Sequence, residues 1–122
     1  MATRAQMRKL ALELPETIEK SHFGKADFRV KDKIFAGFAK EEERGYAKLT
    51  PTRQAALIAE QPDVFEPAEG AWGRSGWTYV TLPSIAVAPL RHVLREAWEL
   101  TAPKALLTRP KAQRPTKRAA RR

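Results

Sequence analysis

Between Thr3, a good N-cap, and Pro15, which cannot continue a helix, the apolar residues Met7, Leu10, Ala11 and Leu14 recur at helical spacing and predict a first helix. From Ile18 to Leu49 the apolar period shortens to that of strands. Runs at Ser21 to Phe23, Phe28 to Val30, Ile34 to Ala39 and Tyr46 to Leu49 read as an antiparallel meander. Lys31-Asp32-Lys33 is short enough for a hairpin turn, and the charged connection Lys40 to Gly45 ends on a glycine able to adopt the left-handed conformation. Thr50-Pro51 opens a second helix, because the Thr hydroxyl accepts from an orphan N–H and Pro lacks the donor that would go unpaired. That helix runs through Leu57 and Ile58 to Glu60, and Pro62 breaks it. Asp63 to Gly76 reads as a loop with a short strand at Val64 to Glu66, followed by a strand over Trp77 to Leu82. Pro89 opens a third helix in which Leu90, Val93, Leu94, Ala97, Trp98 and Thr101 form one stripe, and Pro103 ends it.

This order is helix, three or four strands, helix, one or two strands, helix. It predicts an α+β domain of two layers, an antiparallel sheet with its helices packed on one face. Charge then divides the chain. Residues 1–102 hold 15 Lys plus Arg against 14 Asp plus Glu, whereas residues 103–122 hold eight basic residues and no acidic one. The predicted organisation is therefore one domain over 1–102 and a disordered basic tail over 103–122, since Leu106 and Leu107 alone cannot offset the entropy of ordering it.

With no Cys, the sequence excludes disulfides, thiolate nucleophiles and Cys-ligated metals. Glu13 interrupts the apolar residues of the first segment, so no secretory core is expected, and no apolar run reaches the roughly 18 residues that a membrane span needs. The expectation is a cytoplasmic protein with no membrane partner. His22 and His92 are too far apart in sequence for a metal-ligand spacing, and His92 is expected to pair with Glu96 on a helix surface. Gly70, Gly73 and Gly76 match neither a dinucleotide nor a P-loop fingerprint, and Gly73-Arg-Ser-Gly76 is not a nucleophile elbow. No catalytic residue, metal or cofactor is predicted, and the chain is expected not to be an enzyme.

Leu14-Pro15-Glu16-Thr17, His22-Phe23-Gly24, Phe28 to Ala36, Ala47-Lys48-Leu49-Thr50-Pro51 and Gly76-Trp77-Thr78-Tyr79-Val80, closing on a helix that carries Leu and Trp, resemble the MmcQ/YjbR family of small bacterial proteins. The likeness runs in order over about residues 5 to 101. It implies a CyaY/YjbR-like fold, α-β(3)-α-β(2)-α with a double-wing motif, and a DNA-binding role. The basic tail lies outside the likeness.

Strand alternation places Arg29 with Lys31, Tyr46 with Lys48, and Trp77 with Tyr79 and Thr81. If these faces coincide, they form a basic surface interleaved with aromatics, on which bases stack while cations meet phosphates. The alternative is that Trp77 and Tyr79 belong to the core. The candidate wings are the hairpin Arg29 to Lys33 and the loop Trp72 to Trp77, where Arg74 between glycines lets the backbone approach a phosphate. Glu41-Glu42-Glu43 would repel one. The phosphate-contacting set is thus Arg29, Lys31, Lys33, Lys48 and Arg74, with Trp77 or Tyr79 as a stacking platform. The tail cations Lys104, Arg109, Lys111, Arg114, Lys117, Arg118, Arg121 and Arg122 act as a sequence-blind clamp. The partner expected is nucleic acid, DNA ahead of RNA. The competing reading is a protein- or small-ligand-binding module with a cleft around His22, Tyr46 and Trp77 and an incidental tail.

Overall fold

The computed structural model describes residues 1–22, 25–39 and 43–107, with the side chains of His22 and Leu107 outside that description. Helix α1 (Arg4–Leu12) begins in a reciprocal capping box: the Thr3 hydroxyl accepts from the Gln6 N–H, and the Gln6 side chain accepts from the Thr3 N–H. Four strands follow, β1 (Thr17–His22), β2 (Lys25–Val30), β3 (Lys33–Phe38) and β4 (Arg44–Lys48). Lys31 and Asp32 both have positive φ, 50° and 68°, so the β2–β3 connection is a two-residue turn of the type that matches strand twist. Helix α2 (Pro51–Glu60) starts as its sequence dictates, the Thr50 hydroxyl accepting from the Arg53 N–H at 3.1 Å with Pro51 next in line. Then come β5 (Phe65–Pro67), a short helix α3 (Gly70–Arg74), β6 (Trp77–Thr81), a 3-10 turn over Leu82–Ser84, α4 (Val87–Thr101) and α5 (Lys104–Leu107).

The strands form one antiparallel six-stranded sheet in the order β1-β2-β3-β4-β6-β5. Period-two alternation assigns its faces. Phe28, Val30, Ala36, Phe38, Ala47, Val80 and Phe65 are buried in the hydrophobic core with the α4 stripe Leu90, Val93, Leu94, Ala97 and Trp98. Trp98 also donates from Nε1 to the Pro15 carbonyl at 3.0 Å, tying α4 to the end of α1. A register shift at Phe28/Arg29 inserts one extra residue into β3, and Phe35 through Phe38 are all buried.

Several expectations change. The weak strand at Ser21 to Phe23 is the end of a full strand, β1, whose exposed Ile18 gave no apolar signal. The Trp72 to Trp77 segment is not a loop: α3 occupies most of it. Its glycines serve packing rather than ligand approach. A Cβ on Gly73 would lie 1.9 Å from the Ala68 carbonyl oxygen, and one on Gly76 (φ 114°) would lie 1.8 Å from that of Leu49. Gly45 takes no left-handed conformation either. It lies within β4, where a Cβ would meet the Met7 sulfur at 2.7 Å, so it admits α1. Residues 40–42, with Glu41 and Glu42, fall outside the described residues.

The domain does not end at residue 102, and residues 103–107 are not disordered. Chain order continues through α5, where Leu106 is 4% exposed and belongs to the core. The basic residues around it masked a local apolar anchor. Leu106→Ala should therefore destabilise the protein by about 2–5 kcal/mol in denaturant unfolding. A chain ended after Leu107 should unfold at the same midpoint as the full chain.

Candidate functional site

On the sheet face away from α4, adjacent strands place their outward residues directly opposite one another: Lys48 faces Trp77, Tyr46 faces Tyr79, and Arg44 faces Thr81. The faces that alternation left unplaced do coincide on β4 and β6. Trp77 and Tyr79 are half-buried on the open face and are not core residues; the core-facing positions between and beside them are Thr78 and Val80.

These side chains form a linked aromatic cluster. The Trp77 ring takes the Tyr46 ring edge-on at 5.5 Å, and Trp72 from α3 folds over and stacks on Trp77 at 5.3 Å with 28° between planes. Tyr46 and Trp72 meet edge-on at 6.3 Å. The Lys48 ammonium lies 5.3 Å from the Trp77 ring centroid, and the Arg44 guanidinium lies 4.1 Å from that of Tyr79 while pairing with Glu66 at 3.3 Å. Trp72 is 57% exposed, unusual for so large a ring.

The platform is held from beneath by a buried polar knot. The Gln54 side-chain amide on α2 donates toward the carbonyls of Gly73 and Trp77 at 3.0 Å each and toward the Thr78 hydroxyl at 3.1 Å, and that hydroxyl donates to the Gly76 carbonyl at 2.9 Å. The Leu49 N–H donates to the Gly76 carbonyl as well. Backbone on both sides of the Trp72–Trp77 stack is thus fixed to the start of α2.

Tyr46 lies across Gly37, where any Cβ would sit 2.5 Å from its hydroxyl oxygen, and points toward the Asp27–Arg29 pair. That pair is bidentate, Nε to Oδ1 at 2.8 Å and Nη2 to Oδ2 at 3.2 Å. Hydrogen bonding to Asp27 raises the Arg29 pKa further above the ordinary arginine value. Burial, helped by the Asp27 carboxylate and opposed by Arg29, pushes the Tyr46 hydroxyl up to about 12.

At the end of the platform a cleft of about 440 Å³ is lined by Lys33, Lys48, Ser75 and Thr50 over an apolar floor that includes Leu49 and Leu100. The two segments expected as wings meet here, since Lys33 comes from the β2–β3 hairpin and Ser75 from the α3–β6 turn. Neither Lys33 nor Lys48 makes an ion pair with any described residue, and Arg74 is exposed nearby in the sequence.

Other predicted residues fall elsewhere. Lys31 does not share the strand face of Arg29: β2 ends at Val30, and Lys31 sits in the turn paired with Glu16 at 2.6 Å. Arg29 reaches the open face but is engaged by Asp27. His22, Tyr46 and Trp77 form no common cleft, because the His22 backbone pairs with Lys25 on the edge pair β1–β2, two strands away from β4. His92 is exposed, and Glu96 pairs instead with Arg53 of α2 at 3.0 Å. Lys104 opens α5, while Arg109, Lys111, Arg114, Lys117, Arg118, Arg121 and Arg122 lie outside the described residues. Among the described residues, no group of three or more His, Cys, Asp or Glu is placed to hold a metal ion, and no helix is long and apolar enough to cross a membrane.

Sequence reading missed Trp72 and Arg44. A Trp flanked by glycine in a polar segment was the available signal for the first. For the second it was continuation of the Tyr46, Lys48 alternation two residues back.

The Tyr46 environment is directly measurable. In a Tyr79→Phe background, which leaves Tyr46 as the sole tyrosine, phenolate absorbance should rise near pH 12. Adding Asp27→Asn removes the carboxylate and frees Arg29, so the transition should move down toward 10. Because the raised value belongs to the folded state, Tyr46 should cost the fold stability only as pH climbs above the unfolded value near 10.

A structure of Deinococcus radiodurans protein DR2400, described by the domain name DUF419, superposes with a TM-score of 0.71 at 25% identity, covering 82% of this chain and 78% of that one. No curated protein matches the chain. The family model named YjbR matches residues 12–100, which span β1 to β6 and nearly all of α4, including the open face and the cleft beside it, and the chain belongs to the YjbR family.

Proposed function

We propose that this protein binds DNA without sequence specificity and without catalysing a reaction. Lys33 and Lys48 receive phosphates at the end of the sheet, and the tail cations add affinity. The observation that carries this reading is the junction at Lys48, whose ammonium lines the cleft with Lys33 and also lies over the Trp77 ring. Cations free of carboxylate partners beside exposed aromatic faces are the arrangement by which proteins hold a polynucleotide backbone and its bases together. Family membership agrees with it, since the resemblance to MmcQ/YjbR proteins implies a DNA-binding role. Arg29 and Lys31 drop out of the phosphate set because Asp27 and Glu16 already engage them. Arg74 stays in it as an exposed cation at the end of α3.

Affinity is expected from two sources that salt separates. Up to seven cations follow Leu107, and each phosphate neutralised on duplex DNA contributes about −0.9 to the slope of log K against log salt. Fluorescence anisotropy of a labelled duplex should give the full chain a slope of roughly −4.5 to −7. For a chain ended after Leu107 it should be about −2 to −3. Lys33→Glu with Lys48→Glu should abolish what the shortened chain retains. If the shortened chain, whose core is complete, binds no duplex at any salt, the domain is not the DNA-binding element.

A further inference from the structure

Trp72 is more than half exposed although one face of its indole is covered by Trp77 and its edge meets Tyr46. The unused face of the ring continues the Trp77–Trp72 stack outward to solvent. Nothing in the fold requires this. Trp72 is not a core residue, and α3 is held through the backbone of Gly73 and Gly76 rather than through the indole. An aromatic ring kept at the end of a stack, its position fixed by a buried knot beneath, is a pre-organised seat for another flat ring.

The neighbouring charge says which flat ring. Lys48 lies over Trp77 and shares the cleft with Lys33, so a ligand stacking on Trp72 meets two cations free of carboxylate partners as it continues past the platform. A ligand with planar groups joined by a polyanionic chain fits both halves. From this arrangement, and resting on the DNA-binding reading above, we propose that the open face takes DNA as a single strand, with an unpaired base stacked on Trp72 and the following phosphates at Lys48 and Lys33.

Duplex DNA cannot use the site fully. Its bases are stacked on one another, so their faces are closed to a side chain lying on a sheet, and only its phosphates reach the lysines. A single strand offers both phosphates and base faces, and stacking tolerates any base because each has a π-face. The two forms should therefore depend equally on the lysines and unequally on Trp72.

The test uses the full chain with a labelled thymidine oligomer, an abasic oligomer of the same phosphate count, and a blunt duplex matched in phosphates, read by anisotropy at fixed salt. Trp72→Ala should weaken binding of the thymidine oligomer by about 5- to 140-fold, the range given by base–aromatic stacking, and change duplex binding less than about twofold. Trp72→Tyr should restore most of the loss. The abasic oligomer should bind the unaltered protein as weakly as the thymidine oligomer binds Trp72→Ala, with no further loss on combining the two changes. Equal weakening of single strand and duplex by Trp72→Ala, or no weakening of either, overturns the single-strand assignment. Lysine-dependent duplex binding would leave the broader reading intact in that case. Failure of the unaltered chain to bind any of the three oligomers removes the broader reading itself. A uridine ribo-oligomer held about tenfold tighter than the thymidine one would replace DNA with RNA as the ligand. Far-UV circular dichroism and the unfolding midpoint should be unchanged in Trp72→Ala, because the side chain is exposed.

Discussion

One face of the sheet is sealed by the stripe of α4, and that one-sided burial sets the terms for everything on the other face. Phe28, Phe35, Phe38, Leu90, Leu94 and Trp98 reach near-complete burial there, which makes the in-out alternation of every strand obligatory: a one-residue slip would exchange the core set for charged and aromatic residues. The positions between core residues on β4 and β6 are consequently forced outward together. Their placement owes nothing to a local preference of Trp or Lys for that surface.

A second constraint turns this open face into a defined surface. Gly76 and Leu49 approach so closely that a side chain on Gly76 is impossible, and Gln54 closes the gap with an amide shared among acceptors of the α3–β6 segment. Buried polar groups of this kind hold geometry because losing one partner strands the others. The consequence is felt at Trp72 and Trp77, which flank the knot. Their stack is rigid at its base and open at its top, and the lysine that joins it to the cleft comes from the facing strand.

Charge on the domain is otherwise largely spent internally. Arg8 with Glu19, Arg29 with Asp27, Arg44 with Glu66, Arg53 with Glu96 and Arg95 with Glu99 account for much of the near-balance between basic and acidic residues. Most of these pairs are partly exposed and contribute little stability. What they do is leave Lys33, Lys48 and Arg74 as cations not engaged by described carboxylates, so a chain that is nearly neutral over its fold still presents a local basic site.

The helices, most of the strands and their order were legible from the chain alone, because capping residues, prolines and apolar periodicity are local signals. Thr3, Thr50-Pro51 and the Leu90 to Trp98 stripe each act within one or two helical turns. The pairing of Tyr46 and Lys48 with Tyr79 and Trp77 was not legible, since the strands are some 30 residues apart and alternation leaves each face ambiguous until the sheet is assembled. The same reason hid the roles of Gly73 and Gly76, whose close contacts are with backbone from other segments, and of Leu106, whose burial depends on a core built by the preceding chain. Sequence determined which elements form and where the mobile charge accumulates along the chain. Only tertiary structure decided which cations are already taken, which aromatics face outward, and that Trp72 completes the surface they make, because each of those outcomes is a contact between residues distant in sequence.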